Sequence, residues 1–285
     1  MPVTRVTVVG QSSLIAQALK AQPGAAGWQF ISHVQARQGH EWLDHTDQII
    51  NCAFDDRLKQ APYQPERDMD LWLAEQLRER QQIRYTLLSS RMVYGTPPAD
   101  GRLHTALQPQ PINLYGQAKW RTEQALHEML GDRLLVLRLS NIFSQEDVPG
   151  RRNFFAMALR SLREQGRIVL DISPFVERDF LPVDQLAQSL VHISQFWQTG
   201  LFNLGAGHGL PTGRIAQWLI EGHGRGELLV NNLREHDAFW LDMSATRQTF
   251  GIPPTPVALI RERCLALGAA LQTHPQNPED APCQS

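Results

Sequence analysis

Tyr115 and Lys119 stand four residues apart in the stretch Tyr115-Gly116-Gln117-Ala118-Lys119, a spacing that puts a phenol and an ammonium on one face of a helix. A phenol is a poor base at neutral pH, and an adjacent positive charge favours its phenolate, so the pair is a candidate proton-transfer unit. The same spacing also arises on ordinary solvated helix faces, and what sharpens it lies upstream. There the run Ile83-Arg84-Tyr85-Thr86-Leu87-Leu88 leads into Ser89-Ser90-Arg91-Met92-Val93-Tyr94-Gly95. Such a run predicts a buried strand that delivers serine hydroxyls to the carboxyl edge of a sheet, where open α/β sheets bind ligands.

The elements that must hold these residues can be read in order. Residues 5–9 predict a strand, Gly10 a turn, and the segment from Gln11 to Leu19 a helix. Trp28 to Val34 predicts a second strand and Gln48 to Phe54 a third. Only about a dozen residues separate those two strands, little more than one helical crossover uses, so a strand and its helices are expected to be missing or reduced there. Asp68 to Glu79 carries Met69, Trp72, Leu73 and Leu77 at helical spacing, a core stripe. Prolines 97, 98, 109 and 111 mark a long loop before Tyr115, of the kind that flanks a substrate. Leu134 to Asn141 predicts a buried strand with a polar end, and Phe154 to Leu162 an amphipathic segment. Asp184 is placed to cap a helix from Gln185 to Phe196, and Thr212 a helix from Ile215 to Ile220.

Composition narrows the function classes. The 285 residues are 42% apolar and 20% charged with a formal net charge of -2, an ordinary globular balance without the basic excess of a nucleic-acid binder. Arg151-Arg152 is the one tight basic pair near a loop. No apolar run approaches a membrane span, and no signal-peptide pattern opens the chain. Cys52, Cys264 and Cys283 are too few and scattered for a disulfide framework, which suits a reducing cytoplasm. The ten histidines show no metal-ligand spacing, so no metal is expected.

Ser90, Tyr115 and Lys119, followed by Arg138-x-x-Asn141, the run Arg178-Asp179-Phe180-Leu181-Pro182-Val183-Asp184, and the late Arg234-x-x-Asp237 and Asp242-x-Ser244 elements, together resemble the extended short-chain dehydrogenase/reductase superfamily. The likeness is to its NAD-dependent epimerase/dehydratase branch, which acts on nucleotide sugars, and it covers roughly residues 3–270. It implies a Rossmann-like doubly wound parallel sheet with a smaller C-terminal substrate-binding α/β subdomain. By that resemblance residues 1–145 form the NAD(P)-binding domain, with 178–205 returning to it. Residues 146–177 and 206–272 form the substrate-binding subdomain, and 273–285 read as a disordered tail. A homodimer built on the helix from Tyr115 and that from Asp68 to Glu79 is implied as well, with Ala118, Thr122, Ala125 and Met129 as a seam or, equally, as ordinary core.

The resemblance also assigns roles. Ser90 would hydrogen-bond the reacting sugar oxygen, Tyr115 would exchange its proton, and Lys119 would bind the nicotinamide ribose and tune Tyr115. Gly10, Ser12, Ser13, Leu14 and Ile15 would hold the cofactor's phosphates, with Cys52 and Ala53 beneath it. Ser13 and Ala16 replace the family's second and third glycines, so the site is partly degenerate. His33 and Arg37 follow the second strand where an acid often grips the ribose, and Arg37 either favours NADP(H) over NAD(H) or is a solvated loop charge. Arg91 and Met92 beside Ser90, with Asn141, Arg178 and Arg234, would hold the nucleotide sugar. A 4,6-dehydratase is disfavoured because its Thr-Asp-Glu group is replaced by Ser90-Arg91-Met92, and a fucose-synthase type because Cys52 is on another strand. The expected activity is reduction of a 4-keto nucleotide sugar; a 4-epimerase with bound NAD and a non-catalytic nucleotide-sugar binder remain the alternatives.

Overall fold

The structure is a computed structural model that describes residues 4–144 and 154–272. Arg151-Arg152, Cys283 and the tail expected over 273–285 lie outside the described residues. Two compact units emerge, one from residues 1–142, 178–209 and 237–255, the other from 143–177, 210–236 and 256–285. Segments 206–209 and 237–255, expected in the substrate-binding subdomain, belong instead to the first unit. The cause is local pairing: Trp240 and Leu241 pair in parallel with Arg102 and Leu103, and Asn203 Nδ2 donates to the carbonyls of Leu103 and Asp242.

The first unit is built on six parallel strands, β1 (Val6–Val9), β2 (Gln29–Ile31), β3 (Gln48–Asn51), β4 (Arg84–Ser90), β5 (Leu134–Leu139) and β6 (Gly200–Leu204), in the order β6-β5-β4-β3-β1-β2. Strands buried on both faces need apolar side chains in both phases of the pleat. Val6, Val8, Ile50, Leu88, Leu135, Leu137 and Leu139 form one face's core with Leu19 of helix α1 (Leu14–Lys20) and Leu186 and Leu190 of helix α5 (Val183–Gln195). Val9, Ile49, Tyr85, Leu87, Leu134 and Val136 meet Leu73 of α3 (Met69–Gln76) and Leu126 and Leu130 of α4 (Leu114–Leu130) on the other. Between β2 and β3 there are only a short helix α2 (His33–Gln38) and a 3-10 turn (Glu41–His45), and β2 is the sheet edge. The reduced crossover is therefore real.

Several boundaries differ from the sequence reading. The second strand stops at Ile31 because Ser32 caps α2: its hydroxyl takes the N–H of Gln35, whose side chain takes the N–H of Ser32, a reciprocal capping box. Val183–Gln195 and Thr212–His223 begin two and three residues earlier than expected, with Pro182 and Pro211 before their first residues and no side-chain cap. Asp184 lies in the first turn, and Thr212 donates to the Ser173 carbonyl rather than capping.

The second unit pairs strand Arg167–Leu170 in parallel with Glu227–Val230 and packs helix Thr212–His223 on helix Val257–Ala270. Gly268 makes that pair close, since a Cβ there would stand 2.6 Å from the His223 nitrogen. Among the described residues no helix is long and apolar enough to cross a membrane.

Candidate active site

Ser90 ends β4, and its Oγ accepts the Met92 N–H at 3.2 Å. That bond shapes the tight turn Arg91–Val93 and leaves the hydroxyl proton available to a ligand. Asn113 caps α4 by accepting the Gly116 N–H at 2.8 Å, which starts the helix at Leu114. Any Cβ on Gly116 would run into the Met92 carbonyl. The glycine thus lets the first turn of α4 close onto the turn after Ser90, and so brings the two halves of the predicted chemistry together. Tyr115, half-buried, lies edge-on to Phe54 with ring centroids 5.2 Å apart.

One helical turn later Lys119 is buried. Its Nζ is 3.4 Å from Asp70 Oδ2 and 4.9 Å from the Phe54 ring centroid. Burial pulls the lysine's pKa down, but Asp70, Tyr115 and Asp68 together outweigh it and the net direction is up, so the ammonium stays charged. Asp70 Oδ1 accepts from Asn51 Nδ2 and from the Tyr85 hydroxyl, both at 2.8 Å. Asp68 caps α3 and accepts from Tyr63 at 2.7 Å and from Thr122. The sequence reading missed Asp68, Asp70 and Asn51. A signal was present in the two carboxylates of a segment otherwise read as an apolar stripe.

Behind β4, Arg138 is 1% exposed and forms a two-point ion pair with Glu123 at 3.1 and 2.7 Å. Ser89 donates to the same carboxylate, and the guanidinium lies 4.5 Å from the Tyr94 ring centroid. Arg138 is therefore a strut between β5 and α4, while Ser90, the next residue, keeps the opposite side of the strand.

On the expected substrate side, Arg91 grips Asp237 with two bonds of 2.6 and 2.8 Å and stacks 3.9 Å from the Phe239 ring centroid. Arg178 reaches the same Asp237, through its carbonyl at 3.2 Å and its carboxylate at 3.5 Å. Burial, with Arg91 nearby, lowers the Arg178 pKa despite Asp237. Asp237 holds a left-handed φ of 57°, a conformation that a non-glycine residue adopts only when its surroundings fix it. Arg91, Arg178 and Asp237 thus form one group with a surplus positive charge. Met92 and Asn141 are half-buried, and the Asn141 N–H bonds the Asp179 carbonyl at 3.3 Å. Arg234 belongs to the second unit, where its side chain is exposed.

On the expected cofactor side, Gly10 has φ 91°, and a Cβ there would stand 2.6 Å from the Ala53 nitrogen. The glycine is required by the approach of the β1 turn to the end of β3 as well as by its φ. Ser13 accepts the Ala16 N–H at 3.2 Å as the α1 cap, so its hydroxyl, like that of Ser90, keeps a proton to donate. Ser12 is exposed, Leu14 is buried and Ile15 packs on the core. Burial pushes the Cys52 thiol up to about 12, which leaves it inert, and the Ala53 N–H bonds Asn51 Oδ1. His33 opens α2 and is exposed. Arg37 is not in a loop after a strand: it is in the last turn of α2, with its guanidinium 5.0 Å from the Trp72 ring centroid. The Gly10 turn, the Ser13 hydroxyl and the Lys119 ammonium are of a kind that fits a dinucleotide. The region after β2 offers no ribose-binding acid among His33, Val34 and Gln35.

Comparison with known proteins completes the description. The chain is similar in fold to RMD from Pseudomonas aeruginosa complexed with NADPH, at 20% identity over 95% of this chain and 100% of that one, with a TM-score of 0.76. It is also similar to UDP-glucose 4-epimerase from Thermotoga maritima with UDP-glucose, at 18% identity, 95% and 99% coverage and a TM-score of 0.79. A third likeness is to UDP-N-acetylglucosamine 4-epimerase from Methanobrevibacter ruminantium M1 in complex with UDP-N-acetylmuramic acid, at 16% identity, 95% and 98% coverage and a TM-score of 0.78. At these identities the likeness is one of fold. Sequence goes further, because the RmlD substrate binding domain family matches residues 4–172, more than half of the 285, and the chain belongs to that family.

Proposed function

We propose that this protein is an NAD(P)-dependent oxidoreductase that reduces a 4-keto nucleotide sugar, with Tyr115 as proton donor. The observation that carries the reading is the closure of the first turn of α4 onto the Ser90 turn at Gly116, with Lys119 one helical turn behind Tyr115. Bound reduced nicotinamide supplies the hydride to the carbonyl carbon. Tyr115 gives its proton to the carbonyl oxygen, and the Ser90 hydroxyl donates a hydrogen bond to that same oxygen, stabilising the charge as it develops. The Lys119 ammonium, kept charged by its neighbours, stabilises the phenolate left on Tyr115 until solvent reprotonates it. Arg178 binds the nucleotide diphosphate, a role suited to a planar guanidinium group.

Reduction is favoured over epimerisation by the cofactor side. An epimerase returns the hydride to the sugar it came from and must retain its cofactor meanwhile. Here Ser13 replaces a glycine, no acid follows β2, and the crossover to β3 is short. These features support a dissociable cofactor. The test is to denature freshly purified protein and assay the supernatant for nucleotide. Little released cofactor, with reversible binding of NADPH or NADH, is the expected result. Near-stoichiometric released NAD points to the epimerase, and no binding of either dinucleotide to a non-catalytic binder.

A further inference from the structure

Lys119 is buried between α3 and α4, and the groups facing it can be named element by element. From α3 and its cap come Asp70 and Asp68, from the end of β3 Cys52, from β4 Tyr85 through its bond to Asp70, and from its own helix Tyr115. Lys59, on the 3-10 turn Asp56–Lys59, stands 5.6 Å from the Tyr115 ring centroid and is paired with Asp56 at 2.6 Å. Cys52 is kept neutral by burial. Asp68 is occupied by Tyr63, Thr122 and the N–H groups of Asp70 and Leu71. Asp70 is different. Its Oδ1 is pinned by Asn51 and Tyr85, which turns Oδ2 to Lys119. At 3.4 Å that contact is longer than an ideal charge-assisted bond, and an ammonium has three donors, so the lysine is anchored without being used up.

We propose that Asp70 is a positioning residue for proton transfer: its pinned carboxylate anchors the Lys119 ammonium and offsets the positive charge that this ammonium presents to Tyr115. The proposal rests on the reading of Tyr115 as the proton-transfer residue. A full ammonium charge one helical turn away favours the phenolate, which is a poor proton donor. A carboxylate paired with the ammonium reduces that field and so opposes phenolate formation. Removing the carboxylate therefore moves phenolate formation to lower pH. A purely structural role for Asp70 would lower stability without moving that titration.

The chain suits a direct optical test because it has four tyrosines, and burial pushes Tyr63, Tyr85 and Tyr94 up. The phenolate absorbance abolished by Tyr115→Phe is thereby assigned to Tyr115. In Asp70→Asn that signal is expected about one pH unit lower, the order of effect of a nearby charge, and Asp70→Glu should restore it. An unmoved signal in folded Asp70→Asn overturns the proposal. If Asp70→Asn does not fold, the ¹⁵N resonance of Lys119 Nζ in the unsubstituted protein, assigned with Lys119→Met, decides. An ammonium retained above the ordinary lysine range supports the anchoring, and deprotonation within or below that range overturns it. The functional reading fails separately, through wild-type turnover by Tyr115→Phe, while the titration still decides what Asp70 does.

Discussion

Glu123 shows at the scale of one residue how the strand ending in Ser90 is held. Its carboxylate is the ion-pair partner of Arg138, which is almost wholly buried, and it accepts from Ser89, the neighbour of Ser90. Breaking a buried pair leaves an uncompensated charge and costs about 3–5 kcal/mol. Glu123→Gln is therefore expected to lower the melting temperature well outside experimental error, and an unchanged denaturation curve would refute the strut. Arg178→Ala is expected to weaken nucleoside-diphosphate binding by about 1.5–3 kcal/mol, read by calorimetry, whereas unchanged affinity would remove it from the diphosphate site. The placing of Tyr115 and Lys119 one turn apart on a helix was legible because it is carried by short spacing along the chain. Asp70 was not, because its bond to Lys119 crosses 49 residues and only packing of α3 on α4 creates it. The helix that carries Arg37 was not legible for a related reason, since the capping box at Ser32 ends the strand early and starts a helix.

The decisive junction among the elements is the contact of α4 with the turn after β4. Gly116→Ala would improve helix propensity in isolation, yet its Cβ meets the Met92 carbonyl. The clash should cost about 1–3 kcal/mol and displace Tyr115 from Ser90. The expected outcome is a fall in kcat larger than any change in nucleotide affinity, and an alanine variant with full kcat would show that the junction tolerates movement. Strand positions were readable because a parallel sheet buried on both faces needs unbroken apolar runs. Helix starts were less so: Pro182 and Pro211 stand in the cap positions where a polar cap was expected one or two residues on. Ala118 and Thr122, expected as a dimer seam or as core, are buried in the chain itself, and Thr122 bonds Asp68.

At the scale of the whole molecule, the chain crosses between its two units repeatedly, and the return of 237–255 to the first unit could not be read from sequence. Trp240 and its strand partner Arg102 stand 138 positions apart, and two-residue strands leave no periodic trace. We propose that the protein is a homodimer that pairs through α3 and α4. Sedimentation should give twice the 32.3 kDa of one chain, and a monomer at micromolar concentration would reject the pairing. The central claim is that Tyr115 delivers the proton while hydride passes from cofactor to a nucleotide sugar. Its most direct measurement is transfer of deuterium from reduced nicotinamide dinucleotide labelled at C4 to a 4-keto nucleotide sugar, followed by mass spectrometry for unsubstituted protein and Tyr115→Phe. One deuterium per sugar is expected, at a rate reduced on the order of 10²-fold or more in the Phe variant. An unlabelled product, or an undiminished rate in Tyr115→Phe, would contradict the account.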